Sequence, residues 1–243
     1  MLYIEYYNKI QDIQQHIMND EKTMIMKVAK LMAETIKKDG LVHVFGCGHS
    51  HIMAEEAFYR AGGLVQVNPI LDSAIMLHEG AVKSSRMEKM EDYARFILDR
   101  YQVNENDLMF VFSTSGINGC PIEMVCYAKE KGMKTVAVTS LLYEEEVSRH
   151  SSGLKLCEAA DYVINSHIPH GDALVKLDDR QGMIAAGSTV ISAFIWNILI
   201  CQLAEELVKQ GVTPKYFTSG NITGGQEKNR AYINEYKNRI KLL

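Results

Sequence analysis

Five short apolar runs, set among longer stretches with helical periodicity, constrain this chain more than any other feature. LVHVF (41–45), LVQV (64–67), DLMFVF (107–112), KTVAVT (134–139) and ADYVIN (160–165) read as strands. They are rich in Val, Leu and Phe and barely alternate with polar residues, so both their faces must be covered. The stretches 50–61, 86–101 and 119–131 read as helices, the first ending at Gly62-Gly63, and Asn68-Pro69 is expected to stop the second strand. A long apolar helix is expected from about Ile184 to Lys209. Strands that alternate with helices pair in parallel, and right-handed crossovers place the helices on both faces. The expected fold class is therefore α/β, a three-layer α/β/α sandwich.

Residues 3–38 read as helix throughout, with apolar positions at Ile10, Ile13, Ile17, Met24, Val28, Leu31 and Met32 and a stop at Gly40. The expected organisation is a helical N-terminal extension over 1–38 and a single domain over 39–243. That domain ends in a helical tail, entered through the loop TSGNITGGQEKN at 218–229.

Composition narrows the function classes. The 243 residues carry a formal net charge of −4 without basic clustering, which argues against nucleic acid as a partner. No run approaches the roughly 18 uninterrupted apolar residues of a membrane span, and MLYIEYYNKIQDIQ is too polar for a secretory signal. Five cysteines without a CxxC pair suit reduced thiols in a cytoplasmic protein. The glycosylation triplet at Asn221 is then expected to be idle.

Two loops carry the chemistry. The first strand runs into Gly46-Cys47-Gly48-His49-Ser50-His51. His51 stands where a dinucleotide fingerprint needs its third glycine, and no acidic residue closes a strand about 20 residues on. No phosphate-binding GxxxxGK[ST] occurs, and no cofactor is called for. The strand at 107–112 runs into Ser113-Thr114-Ser115-Gly116, then Asn118 and a helix begun with Pro121. Three hydroxyls, a glycine and a helix N-terminus make a cradle for a phosphate monoester held by neutral donors. Capping alone would account for one hydroxyl but not for three. Both loops lie at the carboxyl ends of strands, where open α/β sheets bind ligands.

GCGHS ahead of a helix, STSGxN after a hydrophobic strand, and TVAVTS after a GMK turn resemble the sugar isomerase (SIS) domain family over roughly residues 35–210. The resemblance implies a flavodoxin-like sheet of five parallel strands and a phosphorylated sugar as ligand. It places Ser50, Ser113, Ser115 and Asn118 at phosphate-binding positions, with Gly48, His49 and Thr114 beside them. AEEAFYRAGGL, SRHSSG and SGNITGG look most like a bacterial single-domain branch labelled phosphoheptose-isomerase-like. Heptose isomerases carry an acid ten residues after the loop serine and a histidine in the long C-terminal helix. This chain has Arg60 at the first position and no histidine in GSTVISAFIWNILI.

Moving a proton between two sugar carbons needs an acid and a base. Glu55 and Glu56 start the helix after the first loop, and residues about 100° apart cannot both face the ligand; Glu56 is the expected choice. LHEG (77–80) is similar to a stretch of arabinose-phosphate isomerases, which makes His78 and Glu79 the other candidates. The histidines 49, 51, 167 and 170 do not form a known metal-ligand spacing, so no metal is expected. Cys47 reads as a packing residue. An aldose–ketose isomerase is expected, with a non-catalytic phosphosugar sensor or an etherase-like lyase on an amino-sugar phosphate as the alternatives. A homodimer or homotetramer is expected to pair through helices 3–38 and 184–209, with His170 or Asn221 reaching the partner's ligand.

Overall fold

Every residue of β1 (Val42–Gly46) and β3 (Leu108–Phe112) is buried, as strands covered on both faces must be. In the computed structural model, which describes residues 1–178 and 182–243, they lie inside a five-stranded sheet of order β2-β1-β3-β4-β5. β2 is Val67–Pro69, β4 Lys134–Thr139 and β5 Tyr162–Asn165. All four pairings are parallel, with Val42 opposite Leu108 and Val136 opposite Tyr162. The three-layer sandwich on a five-stranded parallel sheet is thus the observed fold.

Side chains alternate between the two faces of the sheet, and the apolar clusters follow that alternation. Leu108, Phe110 and Phe112 join the cluster that holds the N-terminal helices and the long C-terminal helix, whereas Met109 and Val111 join Ile97, Ile122 and Val125 on the other side. Trp196 stands edge-on to Phe110, with ring centroids 5.5 Å apart at 88°.

The N-terminal helix differs from expectation. It is two helices, α1 (Leu2–Asp20) and α2 (Lys22–Lys37), broken at Glu21. One straight helix over 3–38 would run about 54 Å, too long to lay both apolar stripes on one core. Ile10, Ile13 and Ile17 of α1 and Val28, Met32 and Ala33 of α2 enter the same cluster only because the chain bends.

After β1 a 3₁₀ turn (Gly48–His51) leads into a short α3 (Ile52–Ala57). The second strand lies three residues later than expected and contains Asn68-Pro69 instead of stopping there. β2 is an edge strand, where a proline costs no ladder bond. Leu64 pairs with Tyr216 of the tail. The expected helix 86–101 is α4 (Ala81–Met87) and α5 (Tyr93–Leu98). Between them Asp92 takes φ 64°, and the buried Glu123 carboxylate accepts the N–H groups of Asp92 and Ala94, capping α5 from outside. α6 (Gly119–Glu130) and the short α7 (Leu156–Ala159) flank β4 and β5 in the chain.

The last long helix begins later than expected. Ile184 belongs to β7 (Gly182–Ala186), which pairs antiparallel with β6 (Ala173–Asp178), and α8 is Ser188–Lys209. Among the described residues α8 alone is long and apolar enough to cross a membrane. Here its Ile191, Ile195, Trp196, Leu199 and Leu203 are buried in the core against α2 and the sheet. α9 (Gly225–Tyr236) starts within the stretch expected to be loop.

Candidate functional site

The carboxyl ends of β1 and β3 open onto one cavity of about 450 Å³, within the usual size of small-ligand sites. Gly48, His49 and Ser50 line it from the first loop, Ser113, Thr114 and Ser115 from the second. The first loop can fold back because residue 46 is glycine: a Cβ there would collide with the Ser50 carbonyl. In the second loop Gly116 takes φ 62°, and a Cβ would meet the Thr139 hydroxyl at 2.7 Å. The Thr114 carbonyl accepts the Ser140 N–H at 2.9 Å, which pins the loop to the end of β4. Ser113 is buried, and its hydroxyl oxygen accepts the Gly116 N–H at 3.3 Å, leaving its own proton to donate.

Other walls of the cavity were not visible as a motif. Ser84, Ser85 and Glu88 come from α4 and its end, and Tyr143, Asp172 and Ser188 from three later segments. Asp172 accepts the N–H of Ser188 at 2.8 Å and its hydroxyl at 2.6 Å. A carboxylate of this chain thus already occupies the positive end of α8.

Asn118 differs from its expected role. Its amide donates to the Glu88 carboxylate at 2.7 Å and its oxygen accepts from Arg149 at 2.7 Å. The side chain is spent inside the protein and does not line the cavity. The N–H of Cys120 donates to the Glu88 carbonyl at 3.0 Å, so this end of α6 is also engaged. Hydroxyl-bearing residues, and not this helix terminus, line the cavity.

The three residues expected to do acid–base work are dispersed. Glu56 forms an ion pair with Arg60 and lines neither hollow at this end of the sheet. Glu79 pairs with Lys83 at 2.8 Å, and that hydrogen bond holds its carboxyl below the usual range. His78 does reach a hollow: a smaller one of about 190 Å³, lined by Gly48, His51, Ile52, Glu55, Met76, Leu77 and His78. Gly48 and Leu77 border both hollows. The carboxylate nearest this space is therefore Glu55, whose Oε1 lies 3.2 Å from Nδ1 of buried His51.

The remaining histidines are held apart. His170 binds Glu146 at 2.7 Å and packs on Tyr143, while the next residue, Gly171, lines the cavity. His167 lies 3.3 Å from Glu21. Cys47 also lines the cavity from a buried position, and burial together with Cys120 pushes its thiol well above the ordinary value. Two other hollows of similar size exist, about 490 Å³ beside Arg60 and Arg230 and about 560 Å³ between α1, α2 and α8. Neither gathers loops from the carboxyl ends of the strands.

Known proteins share this fold. A family model described as the SIS domain matches residues 5–140. A UPF0309 protein from Halalkalibacterium halodurans is 43% identical over 239 residues, covering 98% of this chain and 96% of that protein. The phosphoheptose isomerase of Neisseria gonorrhoeae superposes with a TM-score of 0.55 at 17% identity, covering 82% of this chain and 95% of that one. The NanR protein of Vibrio vulnificus complexed with ManNAc-6P gives a TM-score of 0.50 at 14% identity, covering 94% of this chain and 67% of that one. At such identities the two structures show a shared fold.

Proposed function

Because the chain belongs to the SIS domain family, we propose that it binds a phosphorylated sugar and interconverts its aldose and ketose forms by proton transfer. The observation that carries this reading is that Ser50, Ser113, Thr114 and Ser115 line one cavity at the carboxyl ends of β1 and β3. Hydroxyl groups donate to phosphate oxygens without bringing a countercharge, and among the described residues no lysine lines the cavity. Asp172 and Glu88 also line the cavity and repel an anion, which favours a position against the Ser50 and Ser113–Ser115 loops for the phosphate. The sugar carbons then extend past Gly48 and Leu77 into the smaller hollow, where His78 can exchange protons with sugar oxygens.

One observation favours a second reading. Glu56 and Glu79 are both tied to basic neighbours outside the two hollows, so a non-catalytic sensor would need only the serine loops. The solved neighbour complexed with ManNAc-6P supports a phosphorylated sugar as the ligand under either reading. A thermal-shift panel of hexose, heptose and amino-sugar phosphates, followed by NMR of each stabilising sugar, separates the two. Conversion to the other carbonyl isomer supports the enzyme, and stabilisation without any conversion supports the sensor. No stabilisation by any member of the panel overturns both.

A further inference from the structure

We propose that His51, oriented by Glu55, is the general base that carries the proton between the two carbons of the sugar. The inference rests on the isomerase reading above and supplies the residue that the expected candidates do not.

The buried histidines of this protein differ in one respect. His43, wholly buried at the other end of β1, has both ring nitrogens satisfied, Nε2 by Asp107 at 3.0 Å and Nδ1 by Asn68 at 3.1 Å. That is what a histidine with a structural role requires. His51 is equally buried, with its side chain 2% exposed, but only Nδ1 has a partner, Oε1 of Glu55 at 3.2 Å. Its Nε2 has none. Burying a ring nitrogen unpaired costs stability, and packing alone does not explain it. His51 is one of the residues that line the smaller hollow, with Nε2 set into its wall.

The arrangement is that of an oriented base. A carboxylate accepts from Nδ1–H and so fixes the tautomer, leaving the lone pair on Nε2. The charged and titratable groups acting on the ring are Glu55 on the next helical turn and His78 and Asp72 from the facing loop. Burial outweighs the pull of Glu55 and lowers the imidazole below its ordinary value, so the neutral, basic form prevails at neutral pH. The hollow is large enough for a few sugar carbons, roughly six water volumes, with Ile52, Met76 and Leu77 as apolar walls.

For the open-chain aldose, Nε2 takes the proton from C2. The C–H electron pair becomes the C1=C2 bond of an enediolate, and the carbonyl pair moves onto O1, which takes a proton from His78. His78 then removes the O2 proton, the C2=O2 bond forms, and Nε2 returns its proton to C1. Every proton and electron pair is restored, and no co-reactant is needed.

Nitrogen-15 NMR of the ligand-free protein is the first test, with neutral His51 protonated on Nδ1 expected at pH 7. An imidazolium, or a proton on Nε2, overturns the inference. The second test measures proton exchange in deuterated water with fructose 6-phosphate, ribulose 5-phosphate and sedoheptulose 7-phosphate as probes. His51→Gln should slow exchange by at least about a hundredfold while leaving affinity for the probe nearly unchanged. Glu55→Gln, on a half-exposed side chain that folding tolerates, should slow it by about tenfold. Because Glu55 raises the His51 pKa, its loss should also move the acid limb of the rate profile to lower pH. Wild-type exchange in His51→Gln overturns this inference and leaves the isomerase standing. Binding without exchange by the wild-type protein overturns both the inference and the isomerase, and leaves the sensor.

Discussion

The Glu88 carboxylate accepts the Asn118 side-chain amide at 2.7 Å while bordering the serine-lined cavity. An acid therefore stands where a phosphate-binding site would gain from a neutral or basic group. Like charges about 4 Å apart repel by about 1 kcal/mol in water and by more in a cleft. Glu88→Gln should accordingly tighten inorganic phosphate binding by about threefold or more, measured by calorimetric titration at low salt. Unchanged affinity would place the bound phosphate away from this wall.

The hydroxyl loop should hold most of the phosphate affinity. Hydrogen bonds to a charged group contribute about 1–3 kcal/mol each. Ser113→Ala combined with Ser115→Ala should weaken binding of any sugar phosphate found in the panel by about that amount, without lowering the unfolding temperature greatly. Equal affinity in the double variant would refute the assignment of Ser113 and Ser115 as phosphate donors.

The strands and both loops were legible because unbroken apolar runs and clustered small polar residues are local signals. What escaped depends on partners distant in the chain. α4 and α5 separate where Asp92 takes a left-handed conformation, held by Glu123 from a helix about thirty residues on. β7 is exposed along its whole length although Met183, Ile184, Ala185 and Ala186 are apolar, so in the sequence it runs on into α8 without a break. The side of α3 that meets the hollow was not legible either. Gly48–His51 winds as a 3₁₀ turn, with about three residues per turn. The ordinary i, i+4 spacing then pairs Glu55 with His51 and Glu56 with Arg60. Ser84, Ser85 and Glu88 reach the cavity from a helix whose sequence carries no phosphate motif.

Acid should expose the structural histidine pair. Asp107 is buried, which by itself raises its carboxyl pKa. The hydrogen bond and charge of His43, with the N–H groups of Leu41 and Asn104, outweigh that and hold it below the usual value. The folded state therefore binds this proton less tightly than the unfolded state does. Its stabilising contribution is complete above the ordinary carboxylate pKa of about 3.9 and is lost as pH falls below that towards the folded value. Asp107→Asn should lower the unfolding free energy by about 1–3 kcal/mol at pH 7, with the deficit narrowing below about pH 4. A deficit constant across pH 3–7 would show that the carboxylate charge is not what matters.

Association is the last expectation. α1 carries Leu2, Tyr3, Ile4 and Tyr7 on its exposed surface, and α8 exposes Val190 and Val208. Between them a groove of about 560 Å³ runs along Met18, Ile25, Met26, Ile198 and Cys201. Exposed apolar residues beside a groove rimmed by Gln15, Asn19, Lys22, Gln202 and Glu205 mark an interaction site. A two-fold pairing of the chain with a second copy is the simplest cover, because each copy then buries the same patch. Sedimentation equilibrium at micromolar concentration should give twice the chain mass of 27.4 kDa, or a higher even multiple. Met26→Glu, which puts a carboxylate in the groove, should shift the species towards monomer and raise the dissociation constant by at least about tenfold, the cost of burying an unpaired charge. A wild-type monomer would refute the pairing, and a dimer unmoved by Met26→Glu would place the interface elsewhere.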